Sequence, residues 1–251
     1  MKIRFLNGNA IKIIAAITML IDHIGFFLYP KILVFRMIGR IAMPLFAFLV
    51  AEGCRYTRDR FRHFSLIAVL SVVYTFVYIT ANNTVYFSIL TTFSLSIVMI
   101  YALQNLKKSV FGGMGAGIIA LSAATFIASV AFTYSFSRIK FWAGYKVELD
   151  YGFWGCMLPV FASLFDARTL KLPRNARRLD SHYLRLIPFS VGLALLCMAS
   201  VFGRNAWFAF LALVPLLLYN GKKGRLPLKY FFYVFYPAHL GILYLIQAGF
   251  F

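Results

Sequence analysis

The chain has 251 residues, of which 62% are hydrophobic and only 13% are charged, and its formal net charge is +19. A soluble domain carries about 25% charged residues, so this composition excludes an ordinary soluble globular protein. The basic residues lie in short gaps between apolar runs, which is typical of loops in a multi-pass membrane protein and argues against a nucleic-acid partner. The three cysteines have no paired spacing, which favours packed free thiols over disulfides or metal ligands.

Nine apolar segments divide the chain, most of them long enough to cross a bilayer. Placing the N-terminus in the cytoplasm puts eighteen of the twenty-six lysines and arginines on the inner side, as the positive-inside rule expects. The sequence therefore predicts an all-α fold, a polytopic membrane helix bundle of about nine transmembrane helices with the N-terminus cytoplasmic and the C-terminus outside. We expect a single domain over residues 1–251. The segments are Ala10–Tyr29, Leu33–Gly53, Phe64–Ala81, Val85–Leu106, Val110–Phe136, Tyr151–Phe165, Leu186–Val201, Ala206–Asn220 and Tyr230–Gly249.

The first segment carries an acid and an imidazole side by side, Asp22 and His23. An aspartate at the centre of a membrane helix costs roughly 2.5–3.5 kcal/mol, so a chain that keeps one usually buries it against a partner or uses it. Asp22 lies seven residues from the outer end of its segment, and Arg40 lies seven residues from the outer start of the next. Antiparallel neighbours would place both charges at about the same depth, which predicts a buried Asp22–Arg40 ion pair.

A second histidine, His239 in the last segment, also falls near the membrane midplane. Adjacent helical residues diverge by about 100°, so Asp22 and His23 must face different neighbours. Imidazole exchanges a proton near neutral pH, which makes both histidines candidate acid–base groups. The alternative for each is a structural histidine that bonds a neighbour's backbone. No carboxylate or cysteine joins the two histidines at a recognisable spacing, so no metal is predicted.

Four stretches of the sequence together resemble the TraX family. They are Ile11–Gly25, which ends in IDHIG; Arg36–Arg58, which begins with RMIGRIAMPLFAF; Asp150–Gly155; and Asn220–Leu240, which contains NGKKG and ends in FYPAHL. These matches extend from residue 11 to residue 240. The resemblance implies an integral, multi-pass protein of the bacterial cytoplasmic (inner) membrane whose named relatives acetylate the N-terminus of conjugative pilin.

The chain is also similar, more distantly, to multi-span acetyltransferases that move acetyl from cytoplasmic acetyl-CoA to an acceptor across the membrane. In that group a membrane histidine serves in the transfer, and the matching residue here is His23. The resemblance implies acetyl-CoA as co-substrate and an amine or hydroxyl acceptor, on a pilin-like protein or a surface glycan. The other expected partners are membrane lipids.

Acetyl transfer needs a base that takes the acceptor's proton and a positive group or donors for the developing oxyanion. On this hypothesis His23 is the base, and Asp22 and Arg40 supply charge and maintain the geometry of the site. His239 is a second donor or a proton relay. The coenzyme A phosphates are expected to bind on the cytoplasmic side, and the expected donor-binding group is Arg36, Glu52, Arg55, Tyr56 and Arg58.

Two other functions stay open on the sequence alone. A transporter or flippase would use Asp22, Arg40 and the histidines as a coupling site. A non-catalytic assembly factor would bind pilin-like or other membrane partners and would not need either histidine.

Overall fold

The computed structural model describes residues 4–82, 84–166, 182–199, 203–225 and 229–250. The chain forms two compact units: unit 1 comprises Met1–Leu49 and Leu193–Phe251, and unit 2 comprises Val50–Gly192. Both boundaries fall inside helices, not in linkers. The expectation of a single domain over residues 1–251 stays a prediction.

The helices carry most of the described structure. In chain order they are α1 (Gly8–Phe27), α2 (Leu33–Gly39), α3 (Ala42–Tyr56), α4 (Arg60–Asn82), α5 (Ile89–Phe111), α6 (Ala116–Arg138), α7 (Gly152–Ser163), α8 (His182–Met198), α9 (Leu213–Leu217) and α10 (Lys229–Phe250), with a 3₁₀ helix over Gly203–Ala212 leading into α9.

The nine predicted membrane segments each correspond to an apolar helical stretch in the described ranges. Five stretches are long enough to cross a membrane and four are shorter, so the predicted polytopic helical bundle is confirmed. The orientation of the termini and the crossing by the four short stretches stay predictions. The long stretches are Gly8–Phe27, Leu33–Tyr56, Arg60–Thr80, Ile89–Phe111 and Ala116–Arg138; the short ones are Gly152–Ser163, His182–Met198, Asn205–Leu217 and Val234–Gly249.

Unit 1 is organised around α1, which packs against α2 and α10. The helix begins where Asn7 caps it: the Asn7 side-chain oxygen accepts a hydrogen bond from the Ala10 amide at 2.9 Å. Ile11, Ala15 and Met19 follow at intervals of four residues and are buried, which gives α1 one continuous packed stripe. The stripe fixes the rotation of α1 and therefore the directions of Asp22 and His23.

Two glycines bring α1 and α2 close together. A Cβ added at Gly25 would collide with the Phe35 side chain, and one added at Gly39 would collide with the Asp22 carboxyl group. Only glycine therefore fits at either crossing point without moving a neighbour. The close approach places α2 directly beside the Asp22 carboxylate.

The second predicted membrane segment is two helices, α2 and α3, interrupted at residues 40 and 41. Pro44 has no amide hydrogen to donate to the Arg40 carbonyl, so the helical ladder is open at this point. Pro44 itself lies in the first turn of α3, where a missing donor costs little. Arg40 thus lies at a break in the helix, which the uninterrupted apolar pattern did not reveal.

Unit 2 is organised around α5, which packs against α4, α6 and α7. In its most apolar stretch 56% of the residues are buried, against 6% for α6. Side chains from α5 also bond its neighbours: the Ser96 hydroxyl donates to the Cys156 carbonyl at 2.7 Å, and Thr92 donates to the Asp150 carbonyl at 2.6 Å. The apolar surface of α6 is the kind that a membrane protein presents to lipid.

A small sheet adds to the helical fold and corrects one predicted boundary. It contains β1 (Val85–Phe87), β2 (Phe141–Trp142) and β3 (Tyr145–Leu149), with β3 parallel to β1 and antiparallel to β2. The fourth predicted segment began at Val85, whereas α5 begins after Ser88, whose hydroxyl caps the helix. Positive φ angles at Ala143 and Gly144 make the tight turn that joins β2 to β3. Strands this short leave no readable alternation in the sequence.

Candidate active site

Two histidines from opposite ends of the sequence meet in unit 1. His23 Nδ1 on α1 lies 2.8 Å from His239 Nε2 on α10, and the ring centroids are 4.9 Å apart. His239 is 5% exposed, and its ring also stacks on the Phe235 ring at 4.8 Å. The two imidazoles therefore form a direct hydrogen bond in a mostly apolar setting, as their similar predicted depth permits.

A backbone carbonyl group determines which nitrogen of each imidazole ring carries a proton. His239 Nδ1 lies 2.6 Å from the Phe235 carbonyl oxygen, which can only accept, so Nδ1 is the donor. In a neutral ring Nε2 is then an acceptor, and His23 Nδ1 must donate to it. This leaves His23 Nε2 with a lone pair and no hydrogen-bond partner among the described residues. A lone pair on an oriented imidazole is what a general base requires.

Asp22 forms an ion pair on the other side of α1. Its Oδ2 lies 2.7 Å from Arg36 Nη1, and both side chains are largely buried, at 14% and 25% exposure. Arg40, the partner that depth matching predicted, also acts electrostatically on the Asp22 carboxylate, and Arg36, one helical turn nearer in the chain, makes the direct contact. Arg36 also lies over the Phe26 ring at 5.3 Å. As predicted, Asp22 and His23 face different neighbours.

The second carboxylate oxygen of Asp22 has a different environment. Asp22 Oδ1 is buried and has no hydrogen-bond partner within the described ranges. Gly39 on α2 packs directly against this carboxyl group. A buried acceptor with unused bonding capacity suits a donor group such as an ordered water or a substrate amine.

Unit 2 contains a second buried polar cluster, which the sequence reasoning missed as a unit. Glu52 accepts a short hydrogen bond from Arg185 Nη1 and lies 3.9 Å from Arg55 Nη1. Arg55 Nε in turn lies 3.3 Å from Asp166 Oδ1. We call these four residues the ion cluster. Its two acids and two arginines are all buried, and their charges balance.

The predicted donor-binding group is divided between the two units. Arg36 belongs to unit 1 and bonds Asp22, whereas Glu52 and Arg55 belong to the ion cluster of unit 2. Tyr56 and Arg58 follow in unit 2 and are exposed. The internal contacts of Arg36, Glu52 and Arg55 give each a structural role, and their binding of a donor stays a prediction.

The signal for the missed members was present in the sequence. Only seven acidic residues occur in the chain, so a carboxylate at the end of an apolar segment, such as Glu52 or Asp166, needs a cation nearby. Arg185 lies outside the nine predicted apolar segments, yet it is 1% exposed and also donates a hydrogen bond to the Ala162 carbonyl at 3.2 Å. No group of three or more His, Cys, Asp or Glu side chains in the described part of the chain could hold a metal ion.

The fold and the site define a multi-pass helical membrane protein with paired histidines inside one unit. The chain belongs to the TraX family: it matches the family model, described as "TraX protein", over residues 7–247. It is also 55% identical over 40 residues to "Uncharacterized protein RP591" of Rickettsia prowazekii (strain Madrid E), a match covering 16% of each chain. No solved structure matches.

Proposed function

We propose that this protein is a membrane-embedded acetyltransferase that moves acetyl from acetyl-CoA to an amine or hydroxyl acceptor, with His23 as general base. Membership of the TraX family, which is associated with pilin acetylation, supports the reaction class. The observation that carries the proposal is the hydrogen bond between His23 Nδ1 and His239 Nε2 at 2.8 Å. It fixes His23 in the tautomer whose Nε2 can take a proton.

The reaction needs one bond made, one broken and one proton moved. The acceptor nitrogen or oxygen attacks the thioester carbonyl carbon, and its proton passes to His23 Nε2. The carbon–sulfur bond breaks, and the coenzyme A thiolate takes the proton back from His23 to leave as the thiol. Acetyl and proton counts therefore balance without a metal or redox partner.

The neighbouring residues have positioning roles in this proposal. His239, held by the Phe235 carbonyl, keeps His23 in one tautomer and shares the positive charge that develops on it. The Asp22–Arg36 ion pair fixes α1 against α2, and Asp22 Oδ1 is the acceptor that would orient an amine. Arg40, whose charge acts on Asp22, is the cation proposed to stabilise the developing oxyanion.

The first experiment measures acetyl transfer from radiolabelled acetyl-CoA with purified full-length protein in nanodiscs. The acceptors are a peptide with a free amino terminus and, in a second arm, a polysaccharide with free hydroxyl groups. We expect His23→Ala to lower the transfer rate by about 10²–10⁴, the usual contribution of a positioned base. The matched control is His63→Ala, because His63 bonds the Tyr101 hydroxyl in unit 2 and has no part in the proposed site.

The outcome separates this proposal from its alternatives. Equal transfer by wild type and His23→Ala would overturn the role of His23. Absence of coenzyme A release from a folded protein with every acceptor would favour the assembly factor. Substrate-dependent proton flux in proteoliposomes, without acetyl transfer, would favour the transporter. We further propose the bacterial inner membrane as its location and a pilin-like protein or surface glycan as the acceptor's carrier.

A further inference from the structure

Unit 1 contains a cleft at the N-terminal end of α1 that none of the roles above uses. Its volume is about 650 Å³, within the usual range for a small-molecule site. One wall is the start of α1, with the apolar side chains of Ala10 and Ile13. The lining also includes a loop that carries Lys222, Lys223 and Arg225. We call this the basic cleft.

The loop that carries these basic residues is held in place by backbone bonds. The Gly8 amide donates to the Lys222 carbonyl at 2.7 Å, and the Asn220 amide donates to the Leu6 carbonyl at 2.8 Å. Gly224 has a φ of +88°, and a Cβ there would lie 2.7 Å from the Asn9 side chain. A loop that served only to anchor topology would need charge but no such fixed geometry. The backbone that carries the two lysines is therefore held in place against the start of α1.

The charge of the basic cleft is not balanced from within its own unit. Lys222, Lys223 and Arg225 are exposed, and their side chains make no hydrogen bond or ion pair with the described residues. By sequence, Asp22 is the only acid within the ranges of unit 1, and it bonds Arg36. Three clustered cations without a carboxylate form a site for an anion with several oxygens, such as phosphate.

The basic cleft and the histidine pair are joined by one rigid element. Ala10 lines the cleft and His23 lies thirteen residues further along α1, which corresponds to about 20 Å at 1.5 Å per residue. An elongated donor, with phosphates at one end and an acyl thioester at the other, would have to span this distance to reach both places. Both places also belong to unit 1, whereas Arg55 and Arg58 belong to unit 2.

We infer that the basic cleft binds the phosphate-bearing nucleotide end of the acyl-CoA donor. The inference rests on the proposed function and replaces Arg55 and Arg58 as the expected phosphate ligands. Lys222, Lys223 and Arg225 bind the phosphates, and the wall formed by Ala10 and Ile13 contacts the apolar part of the donor. A lipid headgroup carries the same phosphate chemistry, so the experiment must separate the two sources.

The test measures the binding of radiolabelled coenzyme A to full-length protein in phosphatidylcholine nanodiscs. We expect the double variant Lys222→Ala/Lys223→Ala to bind at least about tenfold more weakly, because it loses two charge-assisted phosphate contacts. Lys222→Arg/Lys223→Arg keeps the charges and should bind within about threefold of wild type. Lys108→Ala removes an exposed lysine of unit 2 and should leave binding unchanged.

Three results would overturn the inference. The first is unchanged binding in the double alanine variant with weakened binding in Arg58→Ala. The second is no coenzyme A binding by folded wild type. The third is a cleft that binds only lipid. In that case association with phosphatidylglycerol would depend on Lys222 and Lys223, and coenzyme A would not compete with it.

The same binding measurement on His23→Ala separates this inference from the proposed function. Lysine-dependent coenzyme A binding without His23-dependent transfer would support the cleft and reject His23 as the base. His23-dependent transfer with lysine-independent binding would keep the function and reject the cleft. Thermal unfolding of each variant shows whether lost binding reflects lost fold.

Discussion

The two units differ in the larger buried polar group that each contains. In unit 2 the ion cluster pairs two acids with two arginines, so its charges balance internally. In unit 1 the chain of bonds from Phe235 through His239 ends at His23 Nε2, which has no hydrogen-bond partner among the described residues. A balanced cluster contributes to the fold, whereas a polar chain that ends on an unused lone pair is suited to chemistry. Polarity at membrane depth alone does not separate these two cases.

We expect the largest effect from a substitution that leaves the ion cluster with unequal numbers of positive and negative charges. Glu52→Gln removes the carboxylate charge shared by Arg185 and Arg55 and leaves two buried cations with one acid. We expect the free energy of unfolding to fall by about 3–5 kcal/mol, measured by denaturant unfolding in detergent. The control is Glu148→Gln, since Glu148 pairs with Lys146 on an exposed strand and should cost at most about 1 kcal/mol. Equal effects of the two substitutions would contradict a structural role for the cluster.

We expect substitutions in the histidine pair to change the rate of acetyl transfer and not the free energy of unfolding. His239→Leu removes the acceptor for His23 Nδ1, so we expect acetyl transfer to fall by about 10²-fold. His239→Gln retains a side-chain oxygen that can accept the same hydrogen bond, so it should recover part of the rate. The KM for acetyl-CoA should stay constant in both variants. Identical rates for leucine and glutamine would show that His239 does not act by holding the tautomer.

We expect a smaller effect on stability from a substitution at the contact between α1 and α2, which also positions Asp22. Gly39→Ala places a methyl group against the Asp22 carboxyl and should lower the free energy of unfolding by about 1–3 kcal/mol. Gly241→Ala on α10 meets no atom within 4 Å and should be neutral or slightly stabilising. Both are measured by thermal unfolding in detergent. A neutral Gly39→Ala would mean that α2 shifts freely and does not fix Asp22.

The smallest effect concerns the end of α7 in unit 2. Lys107 Nζ lies 2.7 Å from both the Ser163 and the Leu164 carbonyl oxygens, where a helix C-terminus attracts a cation. Lys107→Met keeps the apolar stem and loses these bonds, so we expect a loss of about 1 kcal/mol in unfolding free energy. Lys108→Met at the exposed neighbouring position is the matched control and should change stability little. If both substitutions cost the same, the carbonyl contacts contribute nothing specific.

The sequence predicted the helices and part of the site because both depend on local patterns. Apolar runs located the nine helical segments, and the cost of burying a carboxylate drew attention to Asp22 and His23. Depth arithmetic placed His239 near His23 but could not pair them, because a contact between residues 216 positions apart depends on helix packing. The same arithmetic placed Arg40 beside Asp22 but could not show that Arg36 makes the direct contact, since it is uncertain by about one helical turn.

Three features could not be placed from the sequence alone. Nothing in the sequence distinguishes Arg185 from the other loop arginines. Its partners, the Glu52 carboxylate and the Ala162 carbonyl, are evident only in the structure. The break between α2 and α3 depends on one missing amide at Pro44 within an unbroken apolar pattern. The basic cleft required the loop after Tyr219 to bond the segment before α1, which no spacing in the sequence encodes.

The division of unit 1 into two distant stretches of sequence has a consequence for biosynthesis. Unit 2 is contiguous, so it can fold as soon as the ribosome has released Gly192, whereas unit 1 waits for its second stretch. His23 enters the membrane early and remains without its partner until α10 is made. A chain that stops before α10 therefore lacks the hydrogen bond from His23 Nδ1 to His239 Nε2 that fixes the tautomer of His23. The hydrogen bond between the two histidines can therefore form only after α10 has been synthesised.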